Sequence, residues 1–371
     1  MLMLKPVGIN EWQEYYRMTE TASYFQSPGW SALWNRYTDG RYRANPLLAK
    51  LPSGKTVLIP LTRQSLRGGL GSLWHAAPAG TYGGWLGKPG DALTGEEVLI
   101  LIRALFAHCS SLTYRLFPMT PLGHGNGSSP TSGIRDFLAN TSYSLPEITT
   151  IDDHTRVIDC ANGYDAIHRG WAAGKGSMKA KLNKAERAGV HIRRVSSEQD
   201  LAAYYNIYQS ALLRWNPPPS HIYSRTFFEL ILDSDDQFKS SGTKRKQRES
   251  SAGVTSREIW LAEHEGKIVA GAVILTGNQH MTYWHGASDP AFQALRPVNL
   301  LIATLIEHCC KYGLRWFDFN PSMGIVGVDR FKQSFGAQAA FSPILENRTF
   351  GARVSVLAGR ILRRLQKKDS G

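Results

Sequence analysis

The chain is poor in cysteine, and its few cysteines are badly placed for cross-linking. Four in 371 residues, Cys109, Cys160, Cys309 and Cys310, form no C-x-x-C pair. That excludes a disulfide framework, makes a zinc site unexpected, and suits a reducing cytoplasm. Long apolar runs are missing too, since no stretch approaches the ~20 residues that a bilayer span needs. The opening MLMLKPVGINEW is interrupted by Pro6 and Gly8, so no secretory signal is expected. Acidic residues are scarce in three stretches. Arg169 to Arg194 carries +7, Lys239 to Arg248 +5 and Arg348 to Lys368 +7, against +13 for the whole chain, which leaves the remainder at −6. Basicity held in patches suits polyanionic partners such as tRNA, nucleotide-linked substrates or anionic lipid heads; the alternative is solvated helix faces.

A hydrophobic content of 42% and a charged content of 20% are those of a globular protein, and the length favours two domains. The most informative run is LRWFDFNPSMGIVGVDRFKQSFGA, Leu314 to Ala337. It reads as a short buried strand, a Gly-rich turn and a helix that carries Lys332 between two phenylalanines. Its approach has an earlier echo. LIRALFAHCSSLTYRLF, from Leu101, aligns without a gap on LIATLIEHCCKYGLRWF, from Leu301, and LWHAAP echoes YWHGAS. The pattern suggests one folding unit used twice, with the Lys332 turn kept in the second copy.

The first half reads as two helices (from Glu11, and from the Ser27-Pro28 cap), a hairpin LLAKL/KTVLIPLTR, a strand LGSLWHAAP, a helix from Glu96 to Cys109 and a strand LTYRLFP. The second half reads as a strand from Thr155 and two helices, the latter being Ser177 to Ala188. A strand VHIRRV and a long helix to Trp215 follow. Three meandering strands come next, then a helix from Pro297 to Tyr312, the strand RWFDFN, the Lys332 helix and a last strand AFSPIL. This is an α/β order with mixed central sheets flanked by helices. It divides into 1–152 and 153–345, the second with a disordered insert at 234–256. A basic amphipathic C-terminal helix, within 346–371, is expected to pack on the first domain, or else to touch a membrane surface.

That element order resembles two tandem GCN5-related acyltransferase-like domains. The motif F-D-F-x-x-S…G-x-x-x-F-K-x-x-F-G, here Phe317-Asp318-Phe319, Ser322, Gly327, Phe331-Lys332 and Phe335-Gly336, is similar to that of the Fem-type transferases. These tandem acyltransferase-fold proteins attach amino acids from aminoacyl-tRNA to peptidoglycan precursors. The resemblance covers most of the chain, including FQSPGW and the basic helix before GVHI. It implies a cytoplasmic aminoacyltransferase or acyltransferase of cell-wall synthesis, working at the inner face of the membrane. No cofactor is implied; aminoacyl-tRNA or acyl-CoA serves as donor, and a cell-envelope precursor as acceptor. Three departures stand out. The long coiled-coil arm of some members is absent. The family's phosphate-binding lysine falls near Trp34 and Asn35, where the nearest cation is Arg36. ALRPVNLL lacks the R-x-x-G-x-G run that lets backbone approach the coenzyme A pyrophosphate, which weighs against acyl-CoA.

Acyl transfer to an amine passes through a tetrahedral oxyanion, and one fixed donor aimed at that oxygen is worth about 3 kcal/mol. Lys332 is the candidate for that role, the alternative being a helix lysine whose stem packs while its ammonium reaches water. Asp318 would orient Lys332 or accept the amine's proton, or else make a structural bond into the turn. Tyr283 and His285, two apart, are expected to share one face of their strand and line the cleft. The echo of His75 favours packing for His285. Ser322 enters through the motif. Arg214, at a helix end, suits a phosphate or carboxylate, or caps its own helix. Lys179, Lys181, Lys184 and Arg187 share a helix suited to a nucleic-acid backbone or pyrophosphate. No serine or cysteine stands beside a convincing base, so direct transfer without a covalent enzyme intermediate is expected. The remaining alternative is a non-catalytic RNA- or membrane-surface-binding protein.

Overall fold

The computed structural model describes residues 2–66, 71–120, 148–171, 176–215, 219, 221–233 and 255–348. Most of the expected insert, and nearly all of the C-terminal basic helix, lie outside those residues. Ser256, placed at the end of the insert by sequence, opens a strand instead.

The chain forms β1 (Leu4–Pro6), α1 (Ile9–Met18), α2 (Pro28–Tyr37), β2 (Tyr42–Ala44), β3 (Leu47–Lys50), β4 (Thr56–Ile59), β5 (Thr62–Ser65), β6 (Ser72–His75), β7 (Leu86–Gly87), α3 (Gly95–His108), β8 (Ser111–Arg115) and β9 (Thr149–Ile151). It continues with β10 (His154–Asp159), α4 (Gly163–Gly170), α5 (Met178–Arg187), β11 (His191–Arg194), α6 (Glu198–Arg214), α7 (Arg225–Leu232), β12 (Ser256–His264), β13 (Lys267–Gly277) and β14 (His280–Ser288). The last elements are α8 (Pro297–Lys311), β15 (Trp316–Asp318), α9 (Val326–Gln333), β16 (Gln338–Phe341) and β17 (Ile344–Arg348). Among the described residues no helix is long and apolar enough to cross a membrane.

Contacts divide the chain into two compact units. One takes the described residues of Met1–Thr19, Phe25–Asp153 and Phe341–Gly371; the other takes those of Glu20–Tyr24 and His154–Ala340. The first unit holds a sheet β1-β3-β4-β7 and a sheet β2-β5-β6-β8-β17-β9. KTVLIPLTR, expected as one strand, is split at Pro60 between these sheets, because proline cannot donate to a ladder. AFSPIL is likewise split around Ser342-Pro343. β16 joins the second unit's sheet and β17 pairs with β8 and β9 in the first. Helix α3 supplies Leu101, Ile102 and Leu105 to the first core. A capping box between Thr94 and Glu97 starts that helix. Burial pushes the Glu97 carboxyl up, but hydrogen bonds from Ser53, the Thr94 amide and Lys55 outweigh it and hold it at about 2.

The second unit is a seven-stranded sheet, β11-β12-β13-β14-β15-β10-β16. Helices α5 and α8 pack on one face, where Met178, Leu182, Leu301, Leu305 and Phe317 share a core. Ser177 caps α5 by accepting from the Ala180 amide. Helices α6 and α7 bring Tyr204, Tyr208 and Phe228 to His285 of β14.

The duplicated motif is visible in topology, since β6–β8 and β14–β15 are both parallel pairs preceded by an antiparallel one. The gapless sequence register holds only through the helices. Cys109 caps α3, whereas α8 runs on to Lys311, with the Tyr312 and Gly313 amides closing on His308 and Cys310. This extra turn shifts the following strand. His75 pairs with Thr113 at the end of its parallel ladder, while His285 lies beyond the end of the other ladder, at Thr282 and Asp318.

Candidate active site

β14 and β15 run side by side only as far as Thr282 and Asp318. Beyond that point the two strands are no longer paired, and four of the residues singled out by sequence, Asp318, Ser322, Lys332 and Tyr283, lie around this divergence.

On the β15 side the chain makes a tight turn. Phe317 and Phe319 stack edge to face, 5.1 Å between centroids, and the intervening Asp318 points to the opposite face with no exposure. Its Oδ1 accepts from the Thr155 hydroxyl, and also from the Asn320 amide at 2.8 Å. The second bond spans two residues and is the local Asx closure that lets asparagine adopt a left-handed conformation, φ 61° at Asn320. Met323 (φ 50°) and Gly324 (φ 75°) complete the reversal. The Asp318 Oδ2 atom has no hydrogen bond among the described residues and lies 3.8 Å from His280 Nε2. Burial, partly opposed by Asp318, depresses the His280 pKa.

α9 follows. Its eight residues bury one side chain, Lys332, which is 4% exposed. The Lys332 Nζ donates to the Asn320 carbonyl at 2.6 Å. The ammonium is thus held at the turn and does not lie out in solvent. Asp318, Asn320 and Lys332 form one chain of contacts, and Asp318 reaches Lys332 through the backbone of Asn320. Ser322 is buried in the same turn, where its carbonyl accepts from the Ile325 amide.

On the β14 side, Tyr283 packs its ring 6.5 Å from that of Phe319. Burial pushes its hydroxyl up to about 12, so it remains a phenol. Gly286 leaves the space this side chain needs, because a Cβ there would stand 1.9 Å from Tyr283 Oη. Tyr283 also lines a small cleft of about 120 Å³, together with Arg214, Trp215, Gly286, Ser288 and Val298. Arg214 donates through Nε to Ser210 O in its own helix and through Nη2 to Ser288 O.

His285 is not on the Tyr283 side. Val273 pairs with His285 and Ile274 with Tyr283, so Trp284 is an extra residue, a β-bulge. The bulge cancels the two-residue alternation and turns the two side chains to opposite faces. His285 Nδ1 shares a 2.6 Å hydrogen bond with Tyr204 Oη, and burial drives the imidazole pKa down to about 3. It is a neutral packing group among aromatic rings. Arg36 lies on the exposed side of α2 in the first unit. On α5, Met178, Leu182 and Ala185 face the core, Lys179 and Lys181 are half-buried, and Lys184 and Arg187 are exposed. None of these four cations forms an ion pair among the described residues.

Sequence reasoning missed one arrangement at the site. Asp329 of α9 accepts from Arg156 Nε at 3.0 Å and Nη2 at 2.6 Å, and pairs with His154 Nε2 at 3.1 Å. The Arg156 hydrogen bonds, against a smaller opposing effect of burial, hold this carboxyl at about 2.

The start of α8 bears on the choice of donor. Arg296 is left-handed, φ 63°, Pro297 has no amide hydrogen, and the Asn299 and Leu300 amides turn back onto the Arg296 carbonyl. Few first-turn amides remain for a pyrophosphate, so this helix end fits the coenzyme A cradle poorly.

Comparison with known proteins places this geometry in a family setting. Residues 172–333 match the family model of the acetyltransferase (GNAT) domain. A search of curated proteins finds no match. Among solved structures, the chain is similar to FemX at 11% identity, covering 92% of this chain and 96% of that one with a TM-score of 0.61. It is similar to L-PGS from Bacillus licheniformis at 11% identity, with 96% of each chain covered and a TM-score of 0.50. A conserved protein of unknown function from Bacteroides thetaiotaomicron VPI-5482 is 11% identical, with 94% and 100% covered and a TM-score of 0.50. The chain therefore shares the fold of FemX, and residues 172–333, within its second unit, match the acetyltransferase (GNAT) domain.

Proposed function

We propose that this protein moves an aminoacyl or acyl group from a polyanionic donor to an amine or hydroxyl of a cell-envelope precursor, by direct attack within a ternary complex. The observation that carries the reading is the buried Lys332 ammonium, tied to the Asn320 carbonyl beside the divergence of β14 and β15. In the reaction the nucleophile's lone pair adds to the donor carbonyl, and negative charge builds on the carbonyl oxygen. Lys332 stabilises that charge, and a fixed cation in a dry site is worth more than one in water. Tyr283, as a neutral phenol, orients the nucleophile by hydrogen bonding. Asp318 acts through the turn: it shapes Asn320, and Asn320 holds Lys332. The tetrahedral intermediate collapses with expulsion of the donor's alcohol or thiol, which takes up the proton released by the nucleophile. The exposed cations of α5 and the guanidinium of Arg214 suit a donor or acceptor rich in phosphate. The poor fit of the α8 terminus to a pyrophosphate, together with the resemblance of the Lys332 motif to that of Fem-type enzymes, favours aminoacyl-tRNA over acyl-CoA.

The test is to incubate the protein with a mixed charged-tRNA pool and, separately, with an acyl-CoA panel, each with cell-envelope precursors, and to follow donor loss by mass spectrometry. Deacylation of tRNA that depends on an added precursor supports the reading. A second reading, an acyl-CoA-dependent N-acyltransferase, is favoured by the GNAT family match over residues 172–333. Saturable coenzyme A binding by calorimetry with turnover of acyl-CoA alone would establish it. If neither donor is consumed while α5-dependent binding to RNA or vesicles persists, the chain is a binding module on this scaffold.

A further inference from the structure

Resting on the reading that Lys332 meets the reacting carbonyl, we infer that the tripeptide His154-Thr155-Arg156 is a positioning bracket that holds the Lys332 ammonium in place. It occupies the first half of β10, which pairs with β15 at Val157 and Asp318. Successive residues of a strand face opposite sides, so His154 and Arg156 share one side and Thr155 takes the other. The two sides hold the two supports of Lys332. Arg156 and His154 grip Asp329, three residues ahead of Lys332 on α9. Thr155, fully buried, donates to Asp318, whose same oxygen accepts from the Asn320 amide, and the Asn320 carbonyl accepts from Lys332.

The need for such a bracket follows from how little else anchors α9. Val326, Gly327, Val328, Arg330 and Gln333 are exposed, and Lys332 is the buried residue of the helix. A helix this short is not held by propensity, and the part-buried ring of Phe331, which packs against the core, gives it a narrow apolar face. A forked, charge-assisted pair fixes orientation as well as distance, and a lysine in place of Arg156 would keep the charge and lose the fork.

The test reads the ammonium itself and needs no donor. Trace acetic anhydride labels every lysine in competition, and mass spectrometry gives each rate. In the wild-type chain Lys332 should label at least tenfold more slowly than the exposed Lys184. Asp329→Asn and Arg156→Lys should each raise the Lys332 rate at least fivefold and leave the Lys184 rate unchanged, and the pair exchange Arg156→Asp with Asp329→Arg should bring the Lys332 rate back towards wild type. Thr155→Val, which removes a hydroxyl with little change of shape, should raise the rate from the other side of the bracket and serves if an Asp329 variant does not fold. Unchanged Lys332 labelling in the folded variants overturns the bracket, as does exposure of all lysines together. Because labelling is independent of turnover, a bracket that holds while Lys332→Met keeps full transfer activity would refute the catalytic reading alone.

Discussion

Two glycines in neighbouring strands separate stability from function at this site. At Gly271 a Cβ would stand 2.5 and 2.7 Å from the ring of Tyr204 and 3.1 Å from Leu261 Cδ2. Tyr204 is fully buried and tied to His285, so it cannot swing aside. Gly271→Ala is expected to cost about 1–3 kcal/mol as overpacking. At Gly286 the obstacle is the far end of Tyr283, at 1.9 Å. Relief to an ordinary contact of about 3.5 Å requires the hydroxyl to move by about 1.6 Å. The tyrosine borders an open cleft, so that movement is cheap, and Gly286→Ala is expected to change stability by less than about 1 kcal/mol. A displacement beyond 1 Å at a positioning group costs rate, about 10²-fold, with stability nearly intact. Urea denaturation of both variants and donor turnover by Gly286→Ala measure the two effects. Equal destabilisation by both substitutions, or wild-type turnover by Gly286→Ala, would refute the assignment of Tyr283.

Other consequences follow from charge and burial. His280 and His285 stay neutral in the native state because burial lowers their pKa values, that of His285 to about 3. Below about pH 6.5 the unfolded chain binds protons that the native imidazoles refuse, so stability should fall with pH by up to about 1.4 kcal/mol per unit for each histidine. Denaturant titrations from pH 7 to 4 should show this loss, shallower in His285→Gln; equal slopes would contradict it. Reversing Lys184 and Arg187 to glutamate should leave stability within about 0.5 kcal/mol, since both are exposed. The same change should weaken binding to a tRNA pool and reduce the salt slope by about 1.5 if each side chain meets a phosphate. An unchanged slope at 50 to 200 mM salt would remove α5 from the donor site.

Local signals in the sequence were faithful where the chemistry is local. Ser27-Pro28, Ser177 and Pro297 mark helix starts because caps and proline act within a turn. The strand–turn–helix around Lys332 was legible because apolar spacing and glycine encode it directly. The bulge at Trp284 was not, since an extra residue on one strand is defined only against its partner, and it moved His285 away from Tyr283. The departure of β17 to the first unit's sheet was hidden for the same reason. The link from Arg156 to Asp329 spans 173 residues, and neither residue stands out in its own neighbourhood. The repeat was readable in its helices, where core positions recur, and misleading in the strand beyond the extra turn of α8.

The central claim is that a buried ammonium meets the carbonyl under attack. Lys332→Met keeps the length and apolar stem of the side chain and removes the charge. Single-turnover donor consumption at saturating substrates should fall by about 10²–10³-fold, with donor binding unchanged, as for the loss of one oxyanion donor. A folded Lys332→Met protein that consumes donor at the wild-type rate would contradict the account.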